Sequence, residues 1–172
     1  AGVHHHLIRV KKRTRIGLII ETGEAREVMH FALLFGYGAD AVNPYGAFAV
    51  IEEMAAKNEF AKDMTADKAI ENFIKANKKG LLKVLSKMGT STLRSYRAAQ
   101  IFEAIGLGNA LIEKYFTGTQ SRIGGVGINE IAAETLLSHK KAYIDTPKLL
   151  ESEGIYRFRK NGHKHAWNPE TI

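Results

Sequence analysis

The feature that most constrains this chain is a strand–helix–strand pattern close to its start. A β-branched apolar run at residues 16–20 stops at a Thr-Gly turn signal, which predicts a short buried strand. Apolar side chains then recur at i, i+3, i+4 and i+7 over residues 24–35, which is the spacing of one helical face, and Gly36 ends the helix. Residues 39–43 predict a second strand, which Pro44 terminates. The pattern indicates a parallel βαβ unit with a right-handed crossover.

A βαβ unit of this size cannot be a whole sheet, because two strands alone leave their outer edges unpaired. We therefore expect further strands from sequence that precedes Ala1. The predicted fold class is α/β, with a small parallel βαβ portion followed by a mainly helical segment, together a fragment of a larger α/β body. The predicted boundary divides the chain into residues 1–58, the end of the α/β part, and residues 59–172, the mainly helical part.

Helical patterns dominate the sequence after Pro44. The predicted elements are helices at residues 47–58, 65–78, 80–87, 92–105, 109–116 and 128–139, a brief turn from Pro147, and a hairpin that pairs residues 156–158 with residues 165–167. Asn161-Gly162 joins the two hairpin strands, and Asn-Gly is the strongest two-residue hairpin signal.

Composition and charge exclude several functions. The chain has no cysteine, which excludes disulfides, thiolate metal sites and a cysteine nucleophile, and fits a reducing compartment. No apolar run is long enough to span a membrane and no segment has the layout of a signal peptide, so we expect a cytoplasmic protein. Lysine and arginine total 25 against 18 acidic residues, a net charge of +7, and a basic excess can bind nucleic acid. Only residues 11–15 concentrate this charge, so we favour the explanation that a piece of a larger protein need not be balanced.

A glycine-rich segment at residues 124–127 allows two functional interpretations. A glycine turn before a helix can bind phosphate through backbone N–H groups, but the dinucleotide fingerprint lacks its third glycine here. Gly125 and Gly127 between two predicted helices also resemble the hairpin of helix-hairpin-helix DNA-binding modules, although Ile131 stands where that hairpin needs a small residue. The alternative function is therefore a basic helical module that binds nucleic acid through this Gly-Val-Gly hairpin.

Candidate ligand-binding side chains are few, and no catalytic constellation emerges. His4, His5 and His6 are consecutive, and consecutive side chains point in different directions, so we do not expect them to share a metal ion. Arg94 and Arg97 lie three residues apart and could share an anion, although a solvated helix face is the more frequent explanation.

Several segments resemble the large subunit of glutamate synthases, from the end of the central domain to the linker before the FMN barrel. The matching segments are residues 4–9, 13–17, 21–28, 35–45, 79–92, 95–97, 102–107, 115–123 and 165–171. They follow the order of the family and cover nearly the whole chain.

The resemblance implies a role in making L-glutamate from L-glutamine and 2-oxoglutarate. In this family an amidotransferase domain releases ammonia, and an internal tunnel carries it to an FMN barrel. There FMN reduces the imine formed from 2-oxoglutarate, and an iron–sulfur cluster relays the electrons. The central domain is an α/β body without flavin that joins the two active sites. The implied partners are the other domains of the same subunit and a small electron-donating subunit or ferredoxin.

Departures from the family limit what carries over. Without cysteine, the chain has neither the amidotransferase nucleophile nor a cluster ligand, so the resemblance implies an oxidoreductase only within the parent enzyme and a chain that is inactive alone. The residues expected to border the synthase site, as neighbours and not as catalytic groups, are Lys87, Met88, Gly89, Thr90 and Ser91. By themselves these residue types suit phosphate contact without the spacing of a P-loop, so a phosphate-binding module is a third interpretation.

Overall fold

A computed structural model describes residues 1–61, 63–145 and 154–172, and the turn predicted at Pro147 lies outside them. The described residues form two compact units, Ala1–Gly127 and Ile128–Ile172. Helices and two short parallel sheets alternate along the chain, which confirms the predicted α/β class. The helices are α1 (Gly2–Arg9), α2 (Val28–Gly36), α3 (Tyr45–Ala56), α4 (Ala66–Lys87), α5 (Leu93–Tyr96), α6 (Asn109–Tyr115) and α7 (Ile128–Tyr143). The strands are β1 (Ile19–Glu21), β2 (Ala41–Asn43), β3 (Glu103–Leu107) and β4 (Gln120–Val126).

The predicted βαβ unit is present and consists of β1, α2 and β2. Its two strands pair in parallel, with Ile20 opposite Val42. A capping box starts α2, because the Glu27 side chain accepts a hydrogen bond from the His30 backbone while His30 Nδ1 accepts one from the Glu27 N–H (3.2 Å). The box satisfies N–H groups that the first turn leaves free, and it places the start of the helix at Val28, later than the predicted residue 24.

Helix α4 is unbroken, so the prediction of separate helices at residues 65–78 and 80–87 is wrong. Gly80, expected at the break, lies inside the helix and against α2. A Cβ on Gly80 would collide with the side chain of Val28. The missing side chain lets α2 and α4 approach closely, and this packing outweighs the low helix propensity of glycine.

The core of the first unit lies where α2, α4 and α5 meet. Ala32, Leu85 and Tyr96 are buried there, and Tyr96 is completely inaccessible to solvent. The partly buried residues around them are Phe35, Leu81, Val84, Leu93, Ile101 and Phe102. The short α5 is thus anchored by one large aromatic side chain, whose hydroxyl group has no hydrogen-bond partner.

A second parallel pair, β3 and β4, lies in the part of the chain predicted to be mainly helical. The single helix predicted over residues 92–105 is therefore wrong. Helix α5 ends at Tyr96, and Ala98 and Gln100 adopt left-handed backbone conformations, with φ of 57° and 53°, before β3 begins. Of the apolar residues that suggested a helical face, Leu93 and Tyr96 lie in α5, whereas Ala99 and Ile101 lie in the connection to β3. Pairing with β4 then makes residues 103–107 a strand.

The turn predicted at residues 124–127 is also wrong, because most of this segment belongs to β4. A Cβ on Gly125 would collide with the backbone carbonyl of Gly106 in β3. Glycine at this position therefore permits close approach of two strands. The helix-flanked hairpin required by the nucleic-acid alternative does not exist.

The second unit contains α7 and an irregular tail. The hairpin predicted for residues 156–158 and 165–167 is wrong, because residues 154–172 contain turns but no strand. A turn does form at the Asn-Gly pair, where the Gly162 N–H donates to the Arg159 carbonyl (3.0 Å). Farther on, side chains bond to the main chain, as where Asn168 Nδ2 donates to the His165 carbonyl (3.1 Å). Such bonds favour loops over a strand ladder.

Candidate functional site

A polar cluster centred on Arg13 joins separate parts of the first unit. Arg13 lies in the short 3₁₀ turn between α1 and β1. Its guanidinium group donates hydrogen bonds to His4 Nδ1 (2.9 Å), the Ile16 carbonyl (2.7 Å), the Gly38 carbonyl (2.8 Å) and Asp40 Oδ2 (3.1 Å). All three nitrogen atoms of the group are used, so Arg13 ties α1 to the loop after α2.

Asp40 precedes β2 and receives two guanidinium groups. Arg13 bonds to its Oδ2 atom and Arg97 to its Oδ1 atom, while the backbone N–H of Leu18 donates to Oδ2 (2.8 Å). These bonds compensate the carboxylate charge and occupy both oxygens. The anion that Arg97 binds is therefore internal. Arg94 does not share it, and Arg94 is exposed and makes no ion pair among the residues that the structure describes.

His4 is the buried end of the same cluster, with only 6% of its surface exposed. Burial, and next the positive charge of Arg13, lower the pKa of His4 to about 4. Because Nδ1 accepts the hydrogen bond from Arg13, the proton of the neutral imidazole resides on Nε2. Nε2 is buried without a hydrogen-bond partner. His4 is thus neutral at pH 7 and carries one unsatisfied donor.

A cleft of about 560 Å³ opens beside the cluster. Four arginines line it, with His4 and a single carboxylate, that of Asp40. The arginines are Arg13, Arg15, Arg94 and Arg97. Its volume falls within the range of roughly 300–1,000 Å³ that small-molecule sites occupy. Chemically, such a surface attracts and holds negatively charged groups.

The residues predicted to border a synthase site form the turn between α4 and α5. Helix α4 ends in a Schellman motif, in which the Thr90 N–H donates to the Leu85 carbonyl (2.9 Å) and the Gly89 N–H to the Ser86 carbonyl (3.1 Å). Gly89 has a φ of 69°, which the motif requires and which glycine adopts without strain. The exposed residues of this turn are Lys87, Met88, Gly89 and Ser91, whereas Thr90 is half-buried. The motif therefore presents a defined, accessible loop.

The absence of cysteine bears on one of the cofactors that the resemblance implies. Without cysteine, the chain contributes no thiolate to an iron–sulfur cluster. Nothing lies within 4 Å of the position that a Cβ on Gly89 would occupy, so the turn faces open space at this residue. In the described parts of the chain no group of three or more His, Cys, Asp or Glu is placed to hold a metal ion. His4 is buried and His6 exposed, although they lie in the same helix.

Sequence reasoning did not identify Arg13 and Asp40 as partners, since they lie 27 residues apart and no local pattern links them. One signal was available. Asp40 is a lone carboxylate in an otherwise apolar segment, and a charge held in such surroundings requires a partner.

No helix of the described chain has the length and apolar character needed to cross a membrane.

Comparison with known proteins places these features in a family context. The family model described as glutamate synthase central domain matches residues 1–108. The chain is 46% identical to the glutamate synthase [NADPH] large chain of Bacillus subtilis over 173 residues, covering 100% of this chain and 11% of that relative. It is 43% identical to glutamate synthase [NADH] of Saccharomyces cerevisiae (99% and 8%) and 41% identical to ferredoxin-dependent glutamate synthase of Antithamnion sp. (98% and 12%). The chain thus spans about a tenth of the length of these relatives.

Proposed function

This chain belongs to the glutamate synthase central domain family, and from that premise we propose that it is an inter-domain segment of a glutamate synthase large subunit. The parent enzyme makes L-glutamate from L-glutamine and 2-oxoglutarate, with ammonia channelling and reduction by FMN. The observation that carries the proposal is the match over the whole chain to a large chain of this enzyme. In this proposal the segment supplies architecture, and it has no activity when isolated.

The exposure of both sheets supports a place inside a larger body. Parallel strands are normally covered on both faces, because their crossover connections place helices there. Here Ile19 of β1, Ile105 of β3 and Ile123 of β4 are 71%, 73% and 60% exposed. Such apolar strands suit contact with the other domains of the same subunit, namely the amidotransferase domain and the FMN barrel.

The same proposal divides the chain into residues 1–58, the end of the α/β central domain, and residues 59–172, which lead to the FMN barrel. In this proposal FMN and the iron–sulfur cluster belong to the remainder of the parent, and the absence of cysteine leaves this chain without a thiolate ligand for the cluster. The electron donor is a small subunit or ferredoxin, and the relatives carry names with NADPH, NADH and ferredoxin. We place the parent in the cytoplasm.

Residues 87–91 are proposed neighbours of the synthase site. Their support is the exposed, glycine-stabilised turn, which offers the Lys87 side chain to an adjoining domain. Lys87 is a cation at the last position of α4, where a helix attracts positive charge, and its side chain makes no ion pair in the described chain. It is therefore available to a carboxylate substrate bound in the next domain.

The test is a chimaera in which this chain replaces the matching 173 residues of the Bacillus subtilis large chain. We expect the chimaera to retain its flavin and to oxidise NADPH in a reaction that requires both glutamine and 2-oxoglutarate. The isolated 172-residue chain is expected to bind no FMN and to form no glutamate. A chimaera that folds and binds flavin but makes no glutamate contradicts the proposal, as does stoichiometric flavin binding by the isolated chain.

The neighbour role of the turn is tested within an active chimaera. We expect Lys87→Ala to lower kcat/KM for 2-oxoglutarate by about tenfold while glutamine hydrolysis is unchanged. Lys83→Ala is the matched control, because Lys83 is an exposed lysine about one turn earlier on α4, and it should change kcat/KM by less than about twofold. Equal effects of the two substitutions would remove residues 87–91 from the site.

A further inference from the structure

The cleft beside the Arg13 cluster has more positive charge than its own structure uses. Asp40 is the single carboxylate in its lining, and its oxygens are already bonded to Arg13, Arg97 and the Leu18 N–H. Asp40 therefore cannot neutralise the other two arginines of the lining. Arg15 and Arg94 are exposed, and within the described residues they make no ion pair.

The histidine of the lining does not change this balance. His4 is neutral at pH 7, because its buried imidazole lies against the guanidinium group of Arg13. Four guanidinium groups thus face one carboxylate in a cleft of about 560 Å³. Like charges held together repel one another and favour an anion between them.

His4 is a buried residue of the same lining. It is one of the few buried polar residues of the described chain, it lines the cleft, and its Nε2 has no hydrogen-bond partner. The two unpaired arginines of the lining therefore require a negatively charged complement.

We propose that this cleft binds a small dianion carrying carboxylate or phosphate groups, with Arg15 and Arg94 as its ligands. Arg13, Arg97 and Asp40 hold the walls in place, because their mutual bonds fix the turn after α1 and the segment after α5 to the loop before β2. Guanidinium groups suit this task, since their planar donors match the oxygens of both carboxylate and phosphate. The site is independent of residues 87–91 and of the proposed synthase role.

Isothermal titration of the full 172-residue chain with inorganic phosphate and, separately, with succinate tests the proposal at constant ionic strength and pH 7.5. We expect one saturable site with a Kd on the order of 0.1–1 mM for at least one probe. Arg94→Gln and Arg15→Gln should each weaken binding about tenfold. Both side chains are exposed and unpaired, so the variants should keep the circular dichroism spectrum of the parent chain.

Arg26→Gln is the matched control, because it removes the same charge from an exposed position outside the lining. Binding of only one probe identifies the ligand as a phosphate or as a dicarboxylate, and binding of both supports the broader class. The proposal is overturned if neither probe binds saturably. It is also overturned if Arg26→Gln weakens binding as much as the two cleft variants do, because the effect would then be one of net charge.

Discussion

Replacing His4 with glutamine is expected to remove the part of the acid sensitivity of the chain that His4 contributes. In the folded chain the pKa of His4 is about 4, whereas in the unfolded chain it returns to its ordinary value of 6.5. Between these values the unfolded chain binds a proton that the folded chain does not. The free energy of unfolding therefore falls as the pH drops from about 6.5 towards 4, and the loss from this group is absent above that window.

The size of the effect follows from the difference in pKa. At 1.36 kcal/mol for each unit, the shift of His4 amounts to about 3 kcal/mol when complete, and to about 2 kcal/mol between roughly pH 7 and pH 5. Glutamine does not titrate, and its side-chain oxygen can still accept a hydrogen bond from Arg13. His4→Gln should therefore flatten the dependence on pH by this amount, whatever it does to stability at pH 7.

The assay is urea unfolding followed by circular dichroism from pH 7 to pH 5. His6→Gln is the control, because His6 is an exposed histidine in the same helix. His5 also has a lowered pKa, mainly through burial, and both variants keep it. If His4→Gln and His6→Gln lose stability equally over this range, the placement of a buried neutral His4 against Arg13 is refuted.

Two further substitutions test the packing of the core. Gly80→Ala should destabilise the chain by about 1–3 kcal/mol in urea unfolding, because the new Cβ would collide with Val28, although alanine is the better helix former by about 1 kcal/mol. The control Lys79→Ala, at an exposed position, should change the free energy of unfolding by less than about 0.5 kcal/mol. A Gly80→Ala variant that is more stable than the parent chain would refute the contact. Tyr96→Phe should be neutral or slightly stabilising by thermal unfolding, because the buried hydroxyl of Tyr96 has no hydrogen-bond partner. Tyr96→Ala should lower the free energy of unfolding by about 3–5 kcal/mol. A large loss of stability in Tyr96→Phe would reveal a hydrogen bond that this structure lacks.

Local signals accounted for the elements that form within short stretches of chain. The helical period of residues 28–36 and the short apolar segments on either side were sufficient to predict β1, α2 and β2 and their parallel pairing, because a connection of this length must be a crossover. The Asn-Gly pair gave a turn at residues 159–162 but no hairpin, since no strand pairing accompanies it.

The errors fall where distant contacts decide the backbone. Residues 103–105 were predicted as the end of a helix at residues 92–105, but they pair with β4 and form part of β3. The sequence suggested a helix break at Gly80 and a turn at Gly125, yet at both positions another element of the fold comes too close to leave room for a Cβ. A sequence pattern records which residues are small or apolar, but it does not record which neighbour will occupy the space.

The sequence by itself determined the α/β character, the βαβ unit and the family, because periodicity and ordered segment matches are properties of the chain as written. Only the tertiary structure decided that Arg97 binds Asp40 inside the protein, that His4 is buried and neutral, and that Arg15 and Arg94 share a cleft without a counter-charge. The physical reason is that charge compensation depends on distances across the fold. Two charges far apart in the sequence acquire an interaction energy only when folding brings them together and removes the water between them.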